Sequence, residues 1–266
     1  MAVKVKDVFG FLQEKAPFEL QMSFDNAGFL VGHKEQNVDK VLVALDITEE
    51  VISEATQIGA QLIVAHHPVI WGGAKSVTDD TVMGRKLLAL IENGISAICA
   101  HTNLDAVEEG VNDALANQLG LKEIAQLRQE GVDKTGRPYG IGRIGSVATE
   151  NEDCKQFALR VKKLLGANGV RYVDAGRSVR VVAVGGGSCS DMLGDALAQG
   201  CDTFVTSDVK YDVFLEARAR GINLIDAGHF STENVVCPVL KDWMSEQFGE
   251  IEVVISDVHS EVFSYL

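Results

Sequence analysis

The sequence predicts an α/β fold of two duplicated β-α-β-α-β lobes, with largely parallel sheets flanked by helices and a short β-α-β connector between the lobes. Three observations predict it. Short β-branched runs alternate with stretches of helical periodicity. Those runs are almost continuously apolar, as expected of parallel strands covered by helices on both faces. The order strand, helix, strand, helix, strand, polar loop occurs twice, which reads as an internal duplication of roughly 100 residues.

The elements follow in order. "MAVKVKDVFGFLQEKAPFEL" reads as an amphipathic helix with Val8, Phe9, Leu12 and Phe18 on or near one face. It lacks the continuous apolar core of a signal peptide. "KVLVALDI" (40–47) is a strand, and "TEEVISEATQIG" (48–59) a helix capped by Thr48 with acidic residues in its first turn. "AQLIVAHH" (60–67) is a second strand, and "TVMGRKLLALIENG" (81–94) a helix stopped by Gly94. "ISAICAHTNLD" (95–105) is a third strand entering a polar loop, followed by helical "GVNDALANQLG" (110–120).

The connector reads strand 139–147, helix 151–166 and strand 168–176. The second lobe repeats the order, with strands at 178–187, 201–208 and 222–234 and helices at 190–200 and 211–221, the last strand entering a polar loop. The domain boundaries expected on this pattern are 1–122, 123–177 and 178–266, with the two lobes sharing one metal site.

Composition narrows the function classes. The 266 residues, 46% of them hydrophobic, suffice for one large domain or two smaller ones. Four prolines and the lack of low-complexity segments predict little disorder. The net charge of −14, from 38 acidic and 24 basic residues, argues against nucleic acid as the main partner, because that binding rests on Lys and Arg neutralising phosphates. A local basic pocket for a small anion remains open. No apolar run approaches the roughly 18 residues of a membrane span. Five cysteines (Cys99, Cys154, Cys189, Cys201 and Cys237) form no CxxC pair and read as reduced thiols of a cytoplasmic protein.

The chemistry gathers at strand ends. "LIVAHHPVIWGG" (62–73) places two of the chain's six histidines, His66 and His67, where an apolar run stops. Aligning the lobes superposes "ICAHTNLD" on "IDAGHFSTE", so His101-x3-Asp105 answers His229-x3-Glu233. Ser207–Asp208 answers the histidine pair. Ligands of parallel sheets bind beyond the carboxyl ends of the strands, so nitrogen and oxygen donors are expected on one rim. Neighbouring residues of a strand point to opposite faces, so His66 and His67 suit two adjacent ions better than one. Two metals about 3.5–4 Å apart need a bridging carboxylate and usually serve hydrolysis. Imidazole with carboxylate suits zinc, iron, manganese or nickel and disfavours calcium. His33 and His259 lack such neighbours and read as ordinary residues.

Two glycine stretches need weighing. "GIGRIG" (140–145) has the spelling of a dinucleotide loop but runs on into a strand instead of opening a helix. "VGGGSCSD" (184–191) follows a strand and opens a helix, so it is either a tight turn or an anion-binding loop. Asp25-Asn26 in "SFDNAGFLVG" (23–32) has two readings: it orients a ligand near the rim, or it caps a turn in which Gly28 supplies a positive φ.

The combination resembles the Nif-three-like family, whose members are also called dinuclear-metal-centre hexameric proteins and GTP cyclohydrolase I type 2 homologues. "SFDNAGFLVG" is similar to its W-D-N-x-G-L-x-x-G box, with Phe24 for Trp. "AHHP" (65–68), "AHTNLDAVEEGVND" (100–113) and "GHFSTEN" (228–234) are similar to its metal motifs in the expected order. "TSDVKYDVFLEA" (206–217) is similar to its G-D-x-x-Y-H stretch, with Ser207 for Gly and Asp212 for His. The resemblance spans essentially the whole chain. It implies two divalent ions per chain, with His67 and Asp105 on one, His66 and His229 on the other, and Glu233 bridging as a catalytic carboxylate. His101 would lie beside them, either as a group supporting the ligands or as a proton shuttle. It also implies a toroidal homohexamer and a short form of the chain, without a larger middle domain.

Two functions fit this pattern. One is a hydrolase acting on a small molecule, a purine nucleotide such as GTP by the family name. The other is a non-enzymatic metal-binding, chaperone or regulatory assembly protein. Lys210, Arg177 or Tyr211 near the metals would favour the enzyme. A nicotinamide oxidoreductase is weak for the glycine reasons above.

Overall fold

The computed structural model describes residues 2–148 and 152–266. In chain order the first elements are α1 (Val5–Lys15), β1 (Gly28–Val31), β2 (Lys40–Ala44), α2 (Glu49–Gln57), β3 (Leu62–Ala65), α3 (Val82–Glu92), β4 (Ser96–Cys99) and α4 (Thr102–Ala106). Then come α5 (Val111–Gln118), β5 (Lys122–Gln126), β6 (Gly131–Val132), β7 (Pro138–Tyr139), β8 (Arg143–Ser146), α6 (Cys154–Leu164) and β9 (Arg171–Val173). The last are β10 (Val181–Val184), α7 (Leu193–Ala198), β11 (Thr203–Thr206), α8 (Tyr211–Arg220), β12 (Asn223–Asp226), α9 (His229–Glu233), α10 (Val236–Gln247) and β13 (Glu252–Ile255).

The chain divides into two compact units, Met1–Leu104 with Cys237–Ser260 and Asp105–Val236 with Glu261–Leu266. None of these edges falls at 122 or 177, where the repeat of elements would put it. The reason is a pairing that linear order hides: β13 returns to lie parallel to β2, Val253 opposite Val41 and Ile255 opposite Val43.

The first unit is built on the sheet β1-β4-β3-β2-β13. Its four strands other than β1 are mutually parallel, and β1, an edge the sequence pattern did not mark, is antiparallel to β4. β3 and β4 are buried at every position, which is why they read as unbroken apolar runs. Their side chains pack with Val51, Ile52 and Ala55 of α2 and Leu87 and Leu90 of α3. Thr48 caps α2, its hydroxyl accepting from Val51 N at 3.2 Å. The helix expected to reach residue 20 ends at Lys15, because Pro17 disfavours helix in the residue before it. Phe18 follows in a single 3₁₀ turn and stacks on Phe9, with centroids 4.9 Å apart.

The second unit carries the six-stranded sheet β5-β8-β10-β11-β12-β9 and the small hairpin β6-β7. Its centre, β10-β11-β12, is parallel, while β8 and β9 flank it antiparallel. The 123–177 segment, expected as a separate connector, therefore supplies strands to this sheet. Its helix α6 lays Phe157, Ala158 and Val161 into the same core as Val182, Val184, Val205 and Ile225. Residue 151, where that helix was expected to start, lies outside the described residues, and Asp153 caps α6 by accepting from Gln156 N.

The two expected polar loops are single helical turns, α4 and α9. Two of their polar side chains bond to backbone carbonyls. Asn103 donates to Ala16 O at 2.7 Å, and Thr232 Oγ1 donates to Gly228 O at 2.9 Å. No helix of the described residues is long and apolar enough to cross a membrane.

Candidate metal centre

In the first unit the site is assembled where β2, β3 and β4 end. β3 stops at Ala65, so His66 and His67 lie beyond regular strand geometry and the expected alternation does not part them. Their ring centroids are 5.0 Å apart. His101 follows β4, with its ring 5.0 Å from that of His66 and 5.4 Å from that of His67. One donor atom from each of the three lies within 4.8 Å of the others, a group that could hold a metal ion.

Each of these rings is held through Nδ1. His66 Nδ1 is 2.8 Å from Ala100 O, and a carbonyl only accepts, so the proton sits on Nδ1. A neutral His66 then carries its lone pair on Nε2. His67 Nδ1 lies 2.8 Å from Asp46 Oδ1, and His101 Nδ1 lies 2.9 Å from Asp25 Oδ1. Both carboxylates are kept ionised. Burial opposes the charge of Asp25, yet the bonds from His101 and Thr102 outweigh it and hold the group at about 2. Burial likewise opposes Asp46, and His259 with His67 holds it well below the usual range.

Asp25 unites the two readings of its box. Its Oδ1 accepts from Asn26 N at 2.7 Å in a turn where Gly28 has φ 144°. The same carboxylate orients His101 and takes Thr102 N at 3.0 Å and Thr102 Oγ1 at 2.5 Å. Asn26 Nδ2 donates to Ile70 O at 2.8 Å, tying down the segment after His67. Trp71 from that segment meets His101 edge-on, with centroids 5.2 Å apart.

In the second unit the donors stand at the carboxyl ends of β10, β11 and β12. His229 and Glu233 share one turn of α9, with Nε2 3.0 Å from Oε2. Asp208, past the end of β11, meets His229 Nδ1 at 2.7 Å. Burial lowers the His229 pKa, but Glu233 and Asp208 outweigh it and raise it to about 9. An incoming cation must therefore displace a proton from this pair. Asp105 lies on α4, and its carbonyl accepts from Asn112 Nδ2 at 2.9 Å.

Gly187 makes the approach of Glu233 possible. A Cβ there would stand 2.0 Å from Glu233 Oε1 and 3.3 Å from His229 Nε2. The amides of Gly186 and Gly187 donate to Asn112 Oδ1 and Thr232 Oγ1, each at 3.0 Å. "VGGGSCSD" is thus a tight turn whose first donors are occupied, and not an anion cradle. "GIGRIG" leads into β8, where Arg143 is buried against Asp113 at 2.9 Å. Arg177 offers its carbonyl to Asn223 at the start of β12, the end of the sheet away from His229, so it lies off the rim. Lys210 caps α8, and Tyr211 beside it is 77% exposed.

The sequence pattern does not single out Asp46 as a partner of His67 or Asp208 as a partner of His229. A faint signal exists, since both stand two residues past a strand on the candidate rim. His259, read as ordinary, lies 3.6 Å from Asp46 and accepts from its backbone N–H at 3.4 Å. The donor chemistry fits a borderline divalent ion, with imidazole and carboxylate ligands and each imidazole steered by an oxygen on its far nitrogen.

The chain is similar to known proteins along nearly its whole length. A model of the family Duf34/NIF3 (NGG1p interacting factor 3) matches residues 3–261. A Clostridium perfringens protein named "GTP cyclohydrolase 1 type 2 homolog" is 35% identical over 99% of this chain and 100% of its own length. The crystal structure of a Staphylococcus aureus hypothetical protein matches with TM-score 0.92 and 30% identity, covering 100% of both chains. A Bacillus cereus protein related to NIF3 matches with TM-score 0.92 and 25% identity over 100% of this chain and 99% of that one.

Proposed function

Because the chain belongs to the Duf34/NIF3 family, we propose that it binds two divalent ions of the zinc, iron, manganese or nickel class and acts as a metal-dependent hydrolase on a small nucleotide-like or phosphorylated substrate. The proposed ligands are His67 and Asp105 for one ion, His66 and His229 for the other, and Glu233 between them. One observation carries the reading: His66, His67, His101 and His229 each have Nδ1 on a carbonyl or carboxylate oxygen. That support is the usual mark of a metal-binding imidazole.

Two bound ions supply charge stabilisation and a water acidified toward neutrality. The chain's own residues do the rest. Asp46 and Asp208 stop His67 and His229 from rotating. His101, its Nδ1 held by Asp25, takes up and returns a proton at Nε2. The name of the Clostridium relative directs the substrate class toward a purine nucleotide such as GTP. A toroidal homohexamer is the proposed assembly, on family resemblance.

Elemental analysis of the native protein, followed by a metabolite screen on the loaded form, tests this. Two ions per chain and turnover of a nucleotide or phosphate ester are the expected results. Saturation at one ion, with occupancy unchanged in His66→Ala, contradicts the ligand assignment. The position of Arg177 off the rim favours a second reading, a metal-binding protein without catalysis. Full metal occupancy with no turnover across the screen would select it.

A further inference from the structure

Asp226, the last residue of β12, does something the metal reading does not use. Its side chain is buried and spans two turns. Oδ2 accepts from Val209 N at 3.0 Å, and Oδ1 accepts from Gly228 N at 3.1 Å. Both turns are left-handed, and both flank the His229 pair. Asp208, just before Val209, has φ 52°, a region a non-glycine residue occupies only when held there. Gly228, just before His229, has φ 87°. One carboxylate therefore pins the turn that aims Asp208 and the turn that starts α9 at His229.

Arg171 on the antiparallel edge strand β9 completes the arrangement. Its guanidinium pairs with Asp226 Oδ2 and also donates to Val209 O at 3.0 Å. The Val209 peptide is thus gripped at its N–H by Asp226 and at its carbonyl by Arg171. Thr206 and Asp226 are cross-strand partners in β11 and β12, so both turns leave the sheet at the same level. The geometry points to Asp226, braced by Arg171, as the positioning residue that holds the Asp208–His229 hydrogen bond and so presents His229 Nε2 in a fixed direction. Without Asp226 the left-handed turn at Asp208 has lost its fastening, and Asp208 relaxes away from the ring.

The inference rests on the metal reading only in its consequence for metal affinity, so the test has two arms. The first follows the His229 Nδ1–H proton by NMR of the full chain labelled with ¹⁵N-histidine, assigned by its disappearance in His229→Gln. The second follows cobalt(II) binding by visible absorption. Asp226→Asn keeps the size of the side chain but puts an amide where an acceptor is needed. It is expected to lose the hydrogen-bonded Nδ1–H signal and to weaken cobalt binding by about 10–100-fold, the usual effect of removing support behind a ligand. Arg171→Met, on a half-exposed side chain, is expected to move both readouts in the same direction by less, and it decides the matter if Asp226→Asn does not fold. A wild-type Nδ1–H signal in the folded Asp226→Asn protein, or in Arg171→Met when only that variant folds, overturns the inference. Should the wild-type chain take up no cobalt, the metal reading fails while the NMR arm still decides the role of Asp226.

Discussion

His101 opens one strand-end motif and Glu233 closes the other, and their surroundings assign them different work. His101 is backed by Asp25 and met edge-on by Trp71, whereas Glu233 is buried and reaches His229 Nε2 at 3.0 Å. On the proposed roles, Glu233→Ala loses metal first and activity with it, since a bridging carboxylate offsets the repulsion of two cations. His101→Ala keeps most of its metal and loses about 10²–10⁴-fold in rate, the usual worth of a positioned proton-transfer group. Metal content and turnover measured on the same preparations separate the two, and an empty His101→Ala beside a full Glu233→Ala reverses the assignment. Gly187 is the other decisive single position. It has φ 63°, so alanine there pays about 1–2 kcal/mol for the left-handed backbone alone. Its methyl also takes the space of Glu233 Oε1. Gly187→Ala is expected to fold, to unfold at lower temperature, and to bind as little metal as Glu233→Ala. Full occupancy in that variant contradicts the closeness of Gly187 to the ligand.

Among the elements, β8 carries the clearest structural lock. Arg143 is 1% exposed and gives both Nε and Nη2 to the Asp113 carboxylate of α5, at 3.0 and 2.9 Å. Its remaining N–H groups donate to the carbonyls of Gly140, Gly142 and Val107. One side chain therefore ties the strand to α5 and to the segment before it. Arg143→Met leaves the Asp113 carboxylate only the Glu109 amide and takes a donor from each of three carbonyls, and removal of one partner of a buried pair typically costs about 3–5 kcal/mol. The expected result is an unfolding midpoint in urea shifted down accordingly, and an unchanged midpoint rules the lock out. The short helices α4 and α9 show the same economy of form. A spacing of four residues brings His229 and Glu233 onto one side of a single turn, which a loop of the same composition would not guarantee.

For the whole molecule the leading quantity is charge. A chain of net −14 repels its copies, so a closed assembly needs interfaces that outweigh this. Mass measurement in solution at micromolar concentration is expected to find a hexamer, and a monomer there refutes the assembly proposed from family resemblance. The order of the chain matters as well. It leaves the first unit at Leu104 and returns at Cys237, so that unit's sheet is completed by β13, more than 150 residues after β4.

What the sequence determined by itself was local. Apolar runs of strand length, the helical periods between them and the polar residues that end them give the α/β class, the parallel centres of both sheets and the positions of the histidines and acids at strand ends. The four-residue spacing of His229 and Glu233 was visible too, although its helical form was not. The tertiary structure decided whatever depends on closure through space. The pairing of Asp25 with His101 joins residues 76 positions apart, and those of Asp46 with His67 and Asp208 with His229 span 21. The antiparallel edges β1, β8 and β9 depend on where a strand comes to rest, and the unit boundary depends on β13 returning to β2. Periodicity and capping act within a few residues of chain, so they can be read along it. A hydrogen bond between distant residues leaves no period, and its partners are known only once the backbone has brought them together.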